Sequence, residues 1–154
     1  MLLSSLLLVP FLGTLALLAW PGQPSPARLR QITIVILVVQ LALSLLTALQ
    51  FQPQLPGMQL QELHRWVPSI GLDYALGVDG LSLPLVLINA ALTLVSAVIT
   101  RDISKRPRLY FAMLLLISGA VNGAFLAENL LLFFLFYELE LIPLWLLISV
   151  WGGV

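Results

Sequence analysis

Two carboxylic acids stand inside an apolar run, Phe136-Tyr137-Glu138-Leu139-Glu140-Leu141-Ile142-Pro143. A helix over about residues 130–150 puts Glu138 and Glu140 near the middle of a bilayer. An ionised carboxylate at that depth costs on the order of 2.5–3.5 kcal/mol on insertion scales. Intramembrane acids that persist against such a cost usually move protons or balance a buried charge, so both are candidates for proton transfer. The competing use is structural, a hydrogen bond to a neighbouring helix. Residues two apart on a helix point about 200° away from one another, so the two acids cannot serve one cavity. Glu138 shares its face with Leu135, Leu141, Ile142 and Trp145, whereas Glu140 lies with Phe136, Pro143 and Leu144. Pro143 cannot donate to the carbonyl of Leu139, which frees a polar acceptor one turn from Glu138. That acceptor suits a proton path, and a kink that serves only packing suits it equally.

The remaining polar residues suggest less chemistry. Glu128 and Asn129 read as a cap at the start of the same helix. Ser118 and Asn122, four apart, form a polar seam between helices, and Asn89 suits an interhelical hydrogen bond. His64 is expected in a solvated loop, and Arg101 with Asp102 as an exposed pair worth little. Cysteine is absent and His64 is the single histidine, which excludes a disulfide framework, a thiol nucleophile and an iron–sulfur cluster held by this chain. No metal-binding set is expected, and no nucleotide-binding glycine motif appears. The seven basic residues form no stripe, so nucleic acid is not an expected partner.

The elements that hold these residues follow from hydropathy. Hydrophobic residues make up 60% of the 154 and charged residues only 9%. A soluble domain is about half apolar and about a quarter charged, so lipid must be the solvent for most of this surface. Five apolar blocks occur, at about residues 2–20, 32–51, 81–100, 109–127 and 130–150. Each has the length that an α-helix needs to cross a hydrocarbon core of about 30 Å. The expected fold class is an all-α integral membrane protein with five transmembrane helices in one region. No basic residue precedes the first block and no small-residue cleavage site follows it, so it is expected to be a retained span instead of a signal peptide.

Six of the seven basic residues, Arg28, Arg30, Arg101, Lys105, Arg106 and Arg108, fall in connections of one parity. The positive-inside rule puts those on the cytoplasmic or stromal side and the N-terminus on the opposite face. The long loop at about 52–80 then faces the lumen or periplasm. Its alternating pieces around residues 66–78 predict a small hairpin. Trp66 and Tyr74 are expected interface anchors, Asp79 an N-cap for the third span, and Pro84 a first-turn residue.

The stretch from Asn129 to Gly153, through Phe-Tyr-Glu-Leu-Glu-Leu-Ile-Pro-Leu-Trp-Leu-Leu-Ile-Ser-Val-Trp-Gly, closely resembles the fifth helix of subunit 4 of complex I-type NAD(P)H–quinone oxidoreductases. The stretch Trp66-Val-Pro, Gly71 and Tyr74-Ala-Leu-Gly-Val-Asp-Gly-Leu-Ser-Leu-Pro84 resembles that family's approach to its third helix. The first two spans match in hydropathy alone. The double acid Glu-Leu-Glu resembles the cyanobacterial and chloroplast branch, and the wording around it leans towards carbon dioxide-concentrating forms.

The resemblance implies an antiporter-like, proton-pumping subunit of about fourteen helices, of which this chain would be the N-terminal portion. It implies that Glu138 is the functional acid, paired with a buried lysine on a later helix, while the position of Glu140 is usually apolar in respiratory relatives. Lys105 is the one lysine here and lies in a connection, so it is not that partner. The resemblance further implies a thylakoid location with a lumenal N-terminus, and partners in the other membrane subunits of a large complex. Quinone, iron–sulfur clusters and NAD(P)H or ferredoxin would be used by partner subunits, with no cofactor in this chain. A multisubunit cation/proton antiporter subunit, or a membrane scaffold whose acids only stabilise packing, are the competing readings.

Overall fold

The structure, a computed structural model, describes residues 2–100 and 105–151. It contains five helices, α1 (Leu2–Leu18), α2 (Pro26–Gln50), α3 (Ser82–Ile99), α4 (Pro107–Leu126) and α5 (Leu130–Trp151). Between α2 and α3 lies a hairpin of β1 (Gln59–Val67) and β2 (Leu72–Val78). Helices α2 to α5 are long and apolar enough to cross a membrane. With 17 residues, α1 sits at the short end of what spans, about 26 Å at 1.5 Å per residue. The apolar helices make this an integral membrane protein, with α4 at the centre against all four others.

Helix boundaries depart from the hydropathic blocks for a physical reason. Hydropathy detects the lipid-immersed part, whereas a helix continues until its end groups find partners. Thus α2 begins at Pro26, six residues ahead of the apolar block, because Ser25 accepts from Arg28 N at 3.2 Å and Pro26 needs no donor partner. Arg28, Arg30 and Gln31 belong to that polar overhang. Asp79 does cap α3 as expected: its Oδ1 accepts from Leu81 N at 3.0 Å and Ser82 N at 2.7 Å. Asp79 N returns a bond to Ser82 Oγ at 3.0 Å, and Pro84 is the third residue of the helix. These donors hold the Asp79 carboxyl below its usual range, the Ser82 amide contributing most. At α5 the expected pair divides. Asn129 Oδ1 accepts from Leu132 N at 3.1 Å, while the Glu128 carboxylate is taken by Gln61 Nε2 at 2.7 Å.

The hairpin begins earlier than its sequence pattern indicates. Its first strand starts at Gln59, seven residues ahead of Trp66, and the reversal is a 3-10 turn at Pro68–Ile70 closed by Gly71 at φ 74°. Polar residues on β1 hide its pairing, because only β2 is buried. Leu72, Leu76 and Val78 pack with Leu3, Leu6, Leu83, Leu126 and Leu132 at one end of the bundle. His64 consequently stands on a strand, exposed, with its ring 5.9 Å from that of Tyr74.

One carboxylate ties the hairpin to α1. Glu62 accepts from Leu3 N at 2.9 Å and from Ser4 N at 3.3 Å, and Ser4 Oγ also donates to it. Tyr74 OH lies 2.8 Å from the same hydroxyl, so its polar tip is spent on this joint instead of on the interface. An acid at a helix N-terminus meets the positive end of the macrodipole. Burial alone would push the Glu62 carboxyl up, but the Ser4 donors together with the N-terminal amine outweigh it and hold the group below the usual carboxylate range. A depressed folded-state value contributes stability above the unfolded value, and that contribution fades as pH falls through the folded one. Hydrogen exchange at the Leu3 and Ser4 amides, corrected for intrinsic pH dependence, should therefore quicken as acidification carries the solution down through the carboxylate range. In Glu62→Gln it should be fast at neutral pH and nearly flat across that window; acid-insensitive protection in the wild type would contradict the joint.

Candidate proton-transfer site

The divergence expected for the two acids is realised on α5. Glu138 lies on the exposed outer face with Leu135, Leu141, Ile142 and Trp145, all exposed. Glu140 is half-buried on the other side, the side of half-buried Phe136 and buried Pro143. Phe136 reaches across to α1, its ring 6.2 Å from that of Phe11. Both rings rest on α4 where it has no side chains, Phe136 over Gly123 and Phe11 over Gly119; a Cβ at Gly123 would run into the Phe136 ring. This seating fixes the rotation of α5, and hence turns Glu138 outward and Glu140 toward the bundle. Leu144, grouped with Glu140 by sequence, remains exposed at 38%. Among the described residues neither acid forms an ion pair or a hydrogen bond. Arg101 and Asp102 lie outside the described residues.

A second polar group occupies the bundle interior between α2, α3 and α4. Gln40 Nε2 donates to Ser118 Oγ at 2.9 Å, and Asn89 Nδ2 reaches Ser118 O at 3.1 Å and Asn122 Oδ1 at 3.0 Å. Thr93 Oγ1 donates to Asn89 O at 2.7 Å. Gln40, Ser118 and Asn122 are wholly buried, and Asn122 Nδ2 has no partner among the described groups. The seam expected from Ser118, Asn122 and Asn89 is therefore present, and it gains Gln40. A lone amide inside the apolar run Ile34 to Leu43 was the signal available for that residue. These neutral groups lie on the side of α4 facing α2 and α3, and the Gly119–Gly123 side faces Phe11 and Phe136. The seam orders helices and carries no titrating group of its own.

Comparison with known proteins gives this arrangement a context. No protein-family model matches the chain. An NAD(P)H-quinone oxidoreductase chain 4 from Picosynechococcus sp. is 38% identical over 152 residues, 98% of this chain and 28% of that protein. One from a Synechococcus strain is 34% identical over the same share of each, and one from another Synechococcus strain 54% identical over 97 residues, 63% of this chain. The chain is homologous to part of NAD(P)H-quinone oxidoreductase chain 4. It spans less than a third of the length of the relatives it matches. The resemblance read from the fifth span and from residues 66–84 thus agrees with independent similarity over nearly the whole chain.

The seam makes a double-substitution forecast. Ser118→Ala strands the buried Gln40 amide and should cost about 1–2 kcal/mol, the upper range for interhelical hydrogen bonds in membranes. Adding Gln40→Leu removes the stranded group and should recover part of that loss. Thermal unfolding in one detergent would read both; strictly additive losses would mean that the pair does not interact.

Proposed function

We propose that this chain is part of a proton-translocating membrane subunit of a complex I-type oxidoreductase that reduces plastoquinone with electrons from NAD(P)H or ferredoxin. The observation that carries the proposal is Glu138, a carboxylate in the middle of a spanning helix, on an outward face with no cation among the described residues. An acid so placed requires a compensating charge from outside these five helices. Similarity to chain 4 proteins supports a setting in which neighbouring membrane subunits and further helices supply it.

In this reading a buried lysine on a neighbouring helix holds Glu138 ionised. When a conformational change draws the two apart, Glu138 becomes the better base and accepts a proton through an ordered water. The carbonyl of Leu139, relieved of its partner by Pro143, is positioned in sequence to hold such a water. Redox cofactors belong to partner subunits, and this chain contributes translocation alone. The membrane is the thylakoid, with the start of α1 and the hairpin on the lumenal side and the basic connections on the other.

Glu138→Gln in the intact complex should reduce proton translocation several-fold while the complex assembles in near-normal yield, measured by vesicle acidification per quinone reduced. Unchanged pumping would refute the assignment. Reduced yield with unchanged turnover per complex would instead mark Glu138 as a packing residue.

A further inference from the structure

Charge is divided between the two ends of the bundle. Glu62, Asp73, Asp79 and Glu128 gather at the hairpin end, with Arg65 opposite Asp73 as the one basic residue described there; Arg28, Arg30, Lys105, Arg106 and Arg108 gather at the other, with no carboxylate among the described residues there. Two of these five close helices. Arg30 Nε donates to Ala97 O at 3.2 Å and a guanidinium nitrogen to Val98 O, at the end of α3. Arg108 donates to Trp20 O and Gly22 O, each at 2.7 Å, beyond the end of α1. Each meets the negative end of a helix dipole, which attracts the cation without neutralising it. None of the five forms an ion pair among the described residues, and by sequence the connections at this end hold six basic residues against one acid, Asp102, so the end carries a net positive charge.

Between α1, α2 and the start of α4 this end opens into a cavity of about 520 Å³. Leu18, Leu29 and Leu109 give it an apolar floor, and Gln23, Arg106 and Arg108 a polar rim. Its depth is marked by aromatic residues of the kind that sit at headgroup level. Trp20 lies two residues past the end of α1, and Tyr110 and Trp151 stand ring to ring at 5.3 Å, with Trp151 Nε1 donating to Lys105 O at 2.7 Å. Arg106 lies at φ 48° and ψ 56°, a left-handed conformation that glycine adopts without cost. The chain nonetheless carries a guanidinium at that point of the rim.

We propose that this cavity binds an anionic lipid, its phosphate against Arg106 and the upper part of an acyl chain on the leucine floor. The apolar floor at interface depth selects an amphiphile over a soluble anion, and the net positive balance of this end selects a net negative headgroup over a zwitterionic one. The inference is independent of the role given to Glu138.

The test uses the purified native complex reconstituted into phosphatidylcholine nanodiscs containing phosphatidylglycerol with a photoreactive acyl chain. Crosslinks should map to the segment around Leu109 in the wild type and persist in Arg106→Lys. They should fall several-fold in Arg106→Gly, which removes the charge at a backbone position glycine favours and so keeps the fold. An undiminished yield in Arg106→Gly would overturn the proposal. So would equal labelling by photoreactive phosphatidylcholine, or displacement of the lipid by inorganic phosphate, which would mean a site for soluble anions.

Discussion

Lipid offers backbone N–H and C=O groups no partner, and this constraint organises the whole chain. Inside a helix the groups satisfy one another; at the ends they cannot. Each bundle end is accordingly lined with side chains that close helices. Glu62 serves the start of α1, Ser25 that of α2, Asp79 that of α3 and Asn129 that of α5. Arg30 and Arg108 serve the ends of α3 and α1. Donor-poor acids meet exposed N–H groups and donor-rich arginines meet exposed carbonyls. Part of the charge at each end is therefore spent on closing helices, Glu62 and Asp79 at one and Arg30 and Arg108 at the other.

Close packing supplies the second level of order. Lipid tails are as apolar as leucine, so apolar area alone does not hold one spanning helix to another; contact and interhelical hydrogen bonds do. On α4, Gly119 and Gly123 admit two phenylalanine rings from α1 and α5, while Ser118 and Asn122 bond to α2 and α3. The central helix thus presents a smooth side and a hydrogen-bonding side. The smooth side sets the rotation of the helix that bears the two acids.

Much of this was legible in the sequence because the pattern that announces a span is coarse and long. Five blocks gave five helices, and the 200° relation between Glu138 and Glu140 followed from helix geometry alone. The cap formed by Asp79 and the seam through Ser118, Asn122 and Asn89 were legible for the same reason: they depend on near neighbours or a single helix face. Glu62 was not. Its partners on α1 are 58 and 59 residues away, and nothing local distinguishes it from any solvated glutamate. β1 was missed because the strand is exposed on most positions, so alternation carries no hydrophobic signal. Gln40 went unread, although a lone amide in an apolar run marks it, and its pairing with Ser118 on α4, 78 residues away, has no local signal.

The hairpin also changes how the helices can move. The short link between α4 and α5 is bonded to it, Glu128 N donating to Ala75 O at 2.8 Å with Ala127 bridged to Leu76. The same hairpin grips the start of α1 through Glu62. Three helices that already pack together through α4 are thereby strapped together at one rim as well, while α5 leaves its outer face bare along its length. The helix that carries Glu138 is therefore tied at this rim to the same hairpin that holds the first turn of α1.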